Sequence, residues 1–266
     1  MEARIQKAGL RMKLGVDVQF VNPDDDPRFK QYWTAYHTLM GRRGFSPEAA
    51  KAAVHRSTTT IATLMVHLGD ADAMTRIAGD YCAKHGVPDI VIANAGVSTG
   101  TLTELPEDLA TFKAVLDINV LGMVHTFQPF IAPMRATRHG SLVGIASVAG
   151  YRGLPGAAAY SASKAAAISY LESLRVELRS SGINVVTICP GYIDTPMTAR
   201  NPYAMPFLLG VDDAAKRIAK VIASGSSFAV LPWQMAIVAR VLRLLPNWMY
   251  DRLFSDAPRK PRSPAV

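Results

Sequence analysis

From residue 70 onward the sequence predicts an α/β fold, a Rossmann-like doubly wound parallel sheet. Three observations carry that expectation. Short continuous apolar runs recur at DIVIAN (89–94), SLVGIAS (141–147), INVVTIC (183–189) and FAVL (228–231), and such runs suit strands buried on both faces. Segments with helical periodicity separate them. Small polar residues and glycines gather where the runs end, and ligands in such sheets sit beyond the carboxyl ends of the strands.

The elements follow in order. Met74, Ile77, Ala78, Tyr81 and Cys82 fall at i, i+3, i+4, i+7 and i+8, one apolar helix face. Asp70 or Asp72 caps its start, and Gly86 with Pro88 ends it. DIVIAN then runs into Asn94-Ala95-Gly96. A helix is expected over 107–128. SLVGIAS ends on Ser147. An alanine-rich helix is expected over 157–180, with Tyr160 and Lys164 four apart on one face. INVVTIC ends at Pro190-Gly191, with Thr195 just beyond. A helix over 212–223 and the strand FAVL complete the alternation. The stretch PWQMAIVARVLRLLPNWMYDRLF (232–254) is apolar and basic. It is expected to cover the substrate cleft or a subunit interface, with peripheral contact to a membrane surface the less favoured alternative.

Composition narrows the function classes. The chain has 266 residues, 49% of them hydrophobic, enough for a sizeable core. Its net charge is +8 and its pI about 9.6. The excess is dispersed apart from PRKPR at 258–262, and no basic patch is interleaved with aromatics, so no nucleic-acid partner is expected. Cys82 and Cys189 show neither metal spacing nor a disulfide framework, which fits a cytoplasmic location. The opening MEARIQKAGLRMK lacks the apolar core of a signal peptide. Val221 to Ala239 is uncharged, but it contains Gly225, Pro232, Gln234 and three serines and makes a poor membrane span. DDD at 24–26 reads as a solvated turn and helix cap, and His37, His55 and His67 share no metal spacing.

The residues at the strand ends suggest a chemistry. A free tyrosine titrates near ~10 and is a poor base at neutral pH. A neighbouring ammonium, as Lys164 would supply to Tyr160, favours the phenolate. Such a tyrosine exchanges a proton with a hydroxyl or carbonyl oxygen. Ser147 could hold the same oxygen, and Asn119 could orient a water or a backbone group near Lys164. With a nicotinamide alongside, this is hydride transfer between a carbonyl and an alcohol. A Y-x-x-x-K pair, a serine at a strand end and an N-A-G turn each mean little alone. Their joint occurrence, each at a predicted strand end or helix face, is what carries weight.

The stretches ANAG (93–96), DINVLG (117–122), GIASVAG (144–150), AYSASKAA (159–166) and PGYIDTPM (190–197) make residues 70–255 resemble the short-chain dehydrogenase/reductase family. The resemblance implies an NAD(P)-dependent oxidoreductase acting on a secondary alcohol or ketone, with the choice of NAD or NADP open. Tyr160 would be the acid/base, and Lys164 would lower its pKa and bind the nicotinamide ribose. Ser147 would hold the substrate oxygen, and Asn119 would complete a proton relay. The backbone of Asn94, Ala95 and Gly96 would line the cofactor. The turn from Pro190 and Gly191 to Thr195 would meet the nicotinamide amide. Residues 197–210 look like a substrate lid, and with the C-terminal composition they imply a fairly apolar small-molecule substrate. A homodimer or homotetramer through helices 107–128 and 157–180 is the family's usual assembly.

The resemblance stops near residue 70. The family begins with a strand and a T-G-x-x-x-G-x-G loop whose backbone approaches the cofactor pyrophosphate. This chain has no G-x-G at all. His67 stands where the family usually has an adenine-contacting aspartate. Residues 4–74, through AGLRMKLGVDVQFVNPDDDPRFKQYWTAYHTLM (8–40) and TTTIATLMVHLGDADAM (58–74), instead resemble part of the phosphotransacetylase-like domain of NADP-type malic enzymes. LGDADAM (68–74) reads as a joint between the two, the alternative being a divergent dehydrogenase whose N-terminal half has drifted. Three segments follow: 1–74 without the phosphate loop, 75–255 dehydrogenase-like, and 256–266 a flexible basic tail. Helices are expected over 29–43 and 46–56, the second capped by Ser46 with Pro47 at its first position. VDVQFV (16–21) is the best strand to pair beside DIVIAN, which is otherwise an apolar sheet edge. TIATLMVH (60–67) is ambiguous between strand and helix. The rival to an active enzyme is an inactive chimera or binding module that cannot hold the dinucleotide.

Overall fold

The computed structural model describes residues 71–195, 197–199 and 201–262, together with 46–56 and residues 29, 30, 33, 34 and 37. VDVQFV (16–21), TIATLMVH (60–67), DDD and His67 lie outside the described residues, and 29–43 is described only in part. The helix expected from Ser46 is present as α1 (Pro47–Arg56), opened by a hydrogen bond from Ala50 N to Ser46 O at 2.9 Å.

Every apolar run from 89 onward is a strand. They are β1 (Ile90–Ala93), β2 (Ser141–Ile145), β3 (Asn184–Pro190) and β4 (Phe228–Leu231). They form one parallel sheet in the order β1-β2-β3-β4. The register runs through Val91↔Leu142 and Leu142↔Val185, and β4 joins at Cys189↔Val230. Helices cover both faces. On one side Phe127, Met134, Leu142, Leu171, Leu174 and Val185 form the main core. On the other, Val143, Val186 and Ile188 pack under Ile218, Val221 and Ile222.

Two elements differ from expectation. β1 is buried on one face only: Val91 and Ala93 point inward, whereas Ile90 and Ile92 are each 47% exposed. Among the described residues β1 is the sheet edge, so its outer face lacks the covering a central parallel strand has. In α2 (Ala71–His85) the anticipated apolar face narrows to Ala78, while Ile77 and Tyr81 are exposed.

The helix expected to end at 128 runs on. It consists of α3 (Asp108–Leu116), a π-helical turn at Asp117–Leu121 and α4 (Gly122–Thr137). α4 contains Pro129 and Pro133, and proline inside a helix removes a hydrogen bond. Phe127 and Met134, both fully buried against the sheet, hold it straight through. The combined helix is long and apolar enough to cross a bilayer, but here its apolar side builds the core. The remaining helices are α5 (Ala158–Glu177), α6 (Val211–Ala223), α7 (Trp233–Leu244) and α8 (Asn247–Phe254).

Arg152 anchors the C-terminal helices. Its guanidinium donates to Leu242 O at 2.7 Å, Leu245 O at 2.6 Å and Asn247 Oδ1 at 3.0 Å, and lies 4.0 Å over the Tyr250 ring. Tyr250 donates in turn to Gly153 O at 2.6 Å. The carbonyls at the end of a helix lack intrahelical partners, and an arginine satisfies them while complementing the dipole. This joint sets α7 and α8 against the loop between Ser147 and Tyr160. The outer faces of α7 and α8 leave Trp233, Ile237, Val241, Leu244 and Trp248 exposed.

Candidate active site

The site forms where β1, β2 and β3 end. Beyond β2, Ser147 caps a 3₁₀ turn, Val148–Gly150, its Oγ accepting from Ala149 N at 3.2 Å. That turn presses against α5: a Cβ on Gly150 would stand 2.8 Å from the backbone C and O of Lys164 and from Ile168 Cδ1. Glycine is therefore required by close approach, and the contact keys Ser147 to the helix that carries Tyr160 and Lys164. Thr101 caps α5 from outside, accepting from Ala159 N at 3.3 Å.

Lys164 is 4% exposed and donates to Ile145 O at 2.8 Å. Its Nζ lies 5.9 Å from the centre of the Tyr160 ring. Burial pushes its pKa down to about 8, partly opposed by Cys189. The same burial pushes the Cys189 thiol up to about 12, so it stays protonated. Tyr160 titrates above its ordinary range, because burial outweighs the hydrogen bond from Ser147 that pulls it down. The expectation that Lys164 lowers the Tyr160 pKa differs from this arrangement. The Lys164 ammonium gives one N–H to the Ile145 carbonyl and is itself destabilised by burial, so desolvation dominates.

Asn119 sits in the π turn, a distortion common at functional positions. Its side chain clamps the loop after β1. Oδ1 accepts from Val97 N at 2.8 Å, and Nδ2 donates to Val97 O at 2.9 Å and Ser163 Oγ at 2.9 Å. Both amide hydrogens are thus engaged, and a relay through Asn119 requires one of these bonds to exchange for water. Gly96 lies beside it: a Cβ there would stand 3.2 Å from Asn119 Oδ1 and 3.5 Å from Lys164 Nζ. Glycine at 96 keeps the space next to the ammonium open.

The other sequence-derived positions are less engaged. Asn94 is exposed and Ala95 half-buried. Pro190 ends β3 in the core, and Gly191 N donates to Leu231 O at 2.7 Å. Thr195 folds onto Thr198, its N–H donating to Thr198 Oγ1 at 3.1 Å. The segment after it returns to the sheet by hydrogen bonds between Asp194 and Leu209 and between Leu209 and Tyr192. It brings Tyr203 within 6.4 Å of Tyr192, centre to centre. Burial, then the proximity of Tyr192 and Tyr160, raises Tyr203 to about 12.

A short chain dehydrogenase family profile matches residues 34–205. An uncharacterized oxidoreductase of Myxococcus xanthus (strain DK1622) is 37% identical over 212 residues, 79% of this chain and 83% of that protein. The chain belongs to the short-chain dehydrogenase family. This dehydrogenase also shares its fold with a short chain dehydrogenase from Burkholderia cenocepacia J2315 solved in complex with NADP. The TM-score is 0.59 at 23% identity, over 69% of this chain and 76% of that one. An 82-residue stretch, 30% of the chain, is 50% identical to the NADP-dependent malic enzyme of Escherichia coli (strain K12) and covers 11% of that enzyme. That match fits the resemblance of residues 4–74. The family profile reaches back to residue 34, inside that segment.

Sequence reasoning missed a group on the dehydrogenase's other side. Lys260 Nζ lies 5.4 Å from the centre of the Tyr160 ring and donates to Ser98 Oγ at 2.6 Å. The segment 256–262, expected to be a free tail, is seated on the loop after β1. Gly100 N donates to Pro261 O at 2.9 Å, and Arg262 grips both carboxylate oxygens of Asp108 at 2.9 and 3.0 Å and Glu107 at 3.1 Å. Only the cluster of positive charge at 258–262 could have drawn notice to it in the sequence.

Proposed function

We propose that this dehydrogenase interconverts a secondary alcohol and a ketone with NAD or NADP, using Tyr160 as the acid/base. The observation that carries the reading is the convergence of Tyr160, Ser147 and a buried Lys164 beside the open space at Gly96. An ammonium has three N–H donors. Among the described residues Lys164 uses one, on Ile145 O. The remaining two would suit the ribose hydroxyls of a dinucleotide bound beside Gly96.

A bound NAD or NADP would supply or accept the hydride at the substrate carbon. The protein handles the oxygen. Ser147 Oγ accepts from Ala149 N, and its own hydrogen, directed at Tyr160 here, would turn to the substrate oxygen. Tyr160, kept protonated by burial, donates to the same oxygen and releases its proton as alkoxide character develops. In the reverse direction it takes the proton back. Asn119 is a positioning residue that holds Val97 against Ser163 and so keeps Gly96 clear.

A specific observation favours the rival reading. The sequence lacks any G-x-G, so a pyrophosphate grip of the family's usual kind is absent. Titration with NADPH and NADH, followed by nicotinamide fluorescence, decides between them. Saturable binding weakened by Lys164→Ala and retained in Tyr160→Phe supports the enzyme. No binding up to millimolar cofactor, in protein shown to be folded, leaves an orphaned catalytic half.

We also propose a homodimer or homotetramer, since Leu109, Leu121 and Val176 are exposed on the α3–α4 and α5 helices. Sedimentation of Leu109→Lys and Val176→Lys tests this. A cytoplasmic location rests on the free thiols Cys82 and Cys189.

A further inference from the structure

The tight seating of segment 256–262 has a purpose if it delivers a functional group. We propose that Lys260, with Ser98, is the receptor for a carboxylate on the substrate, so that this dehydrogenase acts on an oxo acid and the corresponding hydroxy acid. The inference rests on the redox reading above and names its substrate class.

Three observations carry it. First, Lys260 lies against the Tyr160 ring. Its Nζ is 5.4 Å from the ring centre, as Lys164 is at 5.9 Å. Lys164 is tied to Ile145 O and Lys260 to Ser98 Oγ, so two separately held cations flank the one phenol. Second, Lys260 has no carboxylate partner among the described residues. Its one hydrogen bond is to Ser98 Oγ at 2.6 Å. A half-buried ammonium with two spare N–H donors lacks a counterion, and desolvation alone pushes its pKa down to about 8. Ser98, 4% exposed, accepts from Lys260 and retains its own hydrogen to donate. Donors on two side chains thus converge beside the catalytic phenol, matching the two oxygens of a carboxylate.

Third, the segment is built to hold Lys260 there. Arg262 is locked to Asp108 and Glu107, and Asp108 also accepts from Leu102 N at 2.8 Å. The backbone of Lys260 and Pro261 runs so close to Gly100 that a Cβ there would clash with both carbonyl oxygens. A Cβ on Gly156 would likewise meet the Arg259 side chain at 2.8 Å. A segment that only filled space would not need glycine beneath it at two points. The sequence-based expectation of a fairly apolar substrate then applies to the remainder of the molecule, which lies under Tyr192 and Tyr203. Because Lys260 Nζ lies 5.4 Å from the centre of the ring that carries the reacting hydroxyl, the carbonyl and carboxylate are separated by few bonds.

The test compares 2-oxobutanoate, 3-oxobutanoate and 4-oxopentanoate with their methyl esters, using NADPH and NADH. The wild-type protein is expected to prefer at least one acid over its ester by roughly ten- to a hundredfold in kcat/KM, the range for a hydrogen bond to a charged group. In Lys260→Met that ratio falls to about one, and Lys260→Arg restores part of it. Equal kcat/KM for acids and esters, or a preference that survives Lys260→Met, overturns the inference and leaves the redox reading standing. If neither acids nor esters turn over, the redox reading fails, and calorimetric titration with 4-oxopentanoate and its ester decides the receptor separately. Saturable binding of the acid that is lost in Lys260→Met sustains the receptor; absence of such binding overturns it.

Discussion

Helix α5 and the C-terminal segment each bring one lysine to the same tyrosine ring, and they do so by different physical means. Lys164 is held by a helix whose core residues Ala167, Leu171 and Leu174 are buried in the main core, and by the Gly150 contact at its backbone. Lys260 is held by a segment without secondary structure, fastened through side chains and one backbone hydrogen bond. The first arrangement moves only if the core moves. The second can release without disturbing the sheet. A site built this way has one rigidly held lysine and one releasable lysine beside the same ring.

The largest effect that would sharpen this contrast is catalytic. Tyr160→Phe is expected to lower kcat by about 10²–10⁴ while dinucleotide affinity is retained. Lys164→Met is expected to lower kcat and weaken dinucleotide binding together. Steady-state kinetics beside fluorescence titration separate the two. If Tyr160→Phe retained wild-type kcat, the assignment of the acid/base would be wrong.

The two lysines also differ in their effect on stability. Lys164 titrates at 10.5 in an ordinary setting and at about 8 when buried here. Between those values the unfolded chain holds a proton that the folded chain has released, so this group makes stability rise with pH. Below about 8 both states hold it, and the full cost is present. Lys164→Met is therefore expected to stabilise the fold at pH 7 by up to the order of 3 kcal/mol, and its advantage shrinks as pH rises from 8 toward 10. Cys189 from about 9 and Tyr160 above 10 act the other way, since their raised pKa values leave the folded state holding protons that the unfolded chain gives up. Lys260→Met should show the same direction with a smaller amplitude, because Lys260 is open to water on one side. Denaturant unfolding at pH 7, 8, 9 and 10 reads both. A Lys164→Met advantage that did not shrink between pH 8 and 10 would contradict the burial argument.

Identical substitutions at two glycines probe the mechanical difference. In Gly150→Ala the new methyl meets the Lys164 backbone inside a packed joint, and overpacking of that kind costs roughly 1–3 kcal/mol. In Gly100→Ala it meets the carbonyl oxygens of Lys260 and Pro261, and that segment can lift away. Gly100→Ala is therefore expected to leave the melting temperature nearly unchanged while reducing the preference for acids over esters. Equal destabilisation by both would show that the C-terminal segment is as much a part of the core as α5.

The same contrast explains what could be read from the sequence. Lys164 was legible because helical spacing places i and i+4 on one face, and because β2 and β3 announce themselves as apolar runs. Ser147 and Gly191 follow from where those runs end. The clamp made by Asn119 depends on a π turn, which has no periodicity signal of its own. The extent of α4 was underestimated because Pro129 and Pro133 usually stop a helix, and only the burial of Phe127 and Met134 shows why they do not. Lys260 and Arg152 were not legible in these roles at all. Each acts through contacts between segments far apart in the chain, Arg152 with Leu242 and Lys260 with Ser98. Local sequence carries no trace of such pairings beyond the charge cluster at 258–262.

The smallest expected effect tests the fastening itself. Arg262→Ala removes the contacts to Asp108 and Glu107 but leaves Asp108 accepting from Leu102 N. Arg262 lies at the surface, so its ion pairs are screened by water and salt, and global stability should change little. Local order should change more. The Gly100 amide is protected through its bond to Pro261 O, and it is expected to exchange severalfold faster in Arg262→Ala. The Ala159 amide, held by Thr101 Oγ1 at the start of α5, is expected to exchange at its wild-type rate. Hydrogen exchange followed residue by residue makes the comparison within one sample. Added salt should mimic the variant in the wild-type protein, because screening weakens the same pairs. If both amides accelerated together, the two sides of the tyrosine would open as one unit, and the distinction between a rigid helix and a releasable segment would fail.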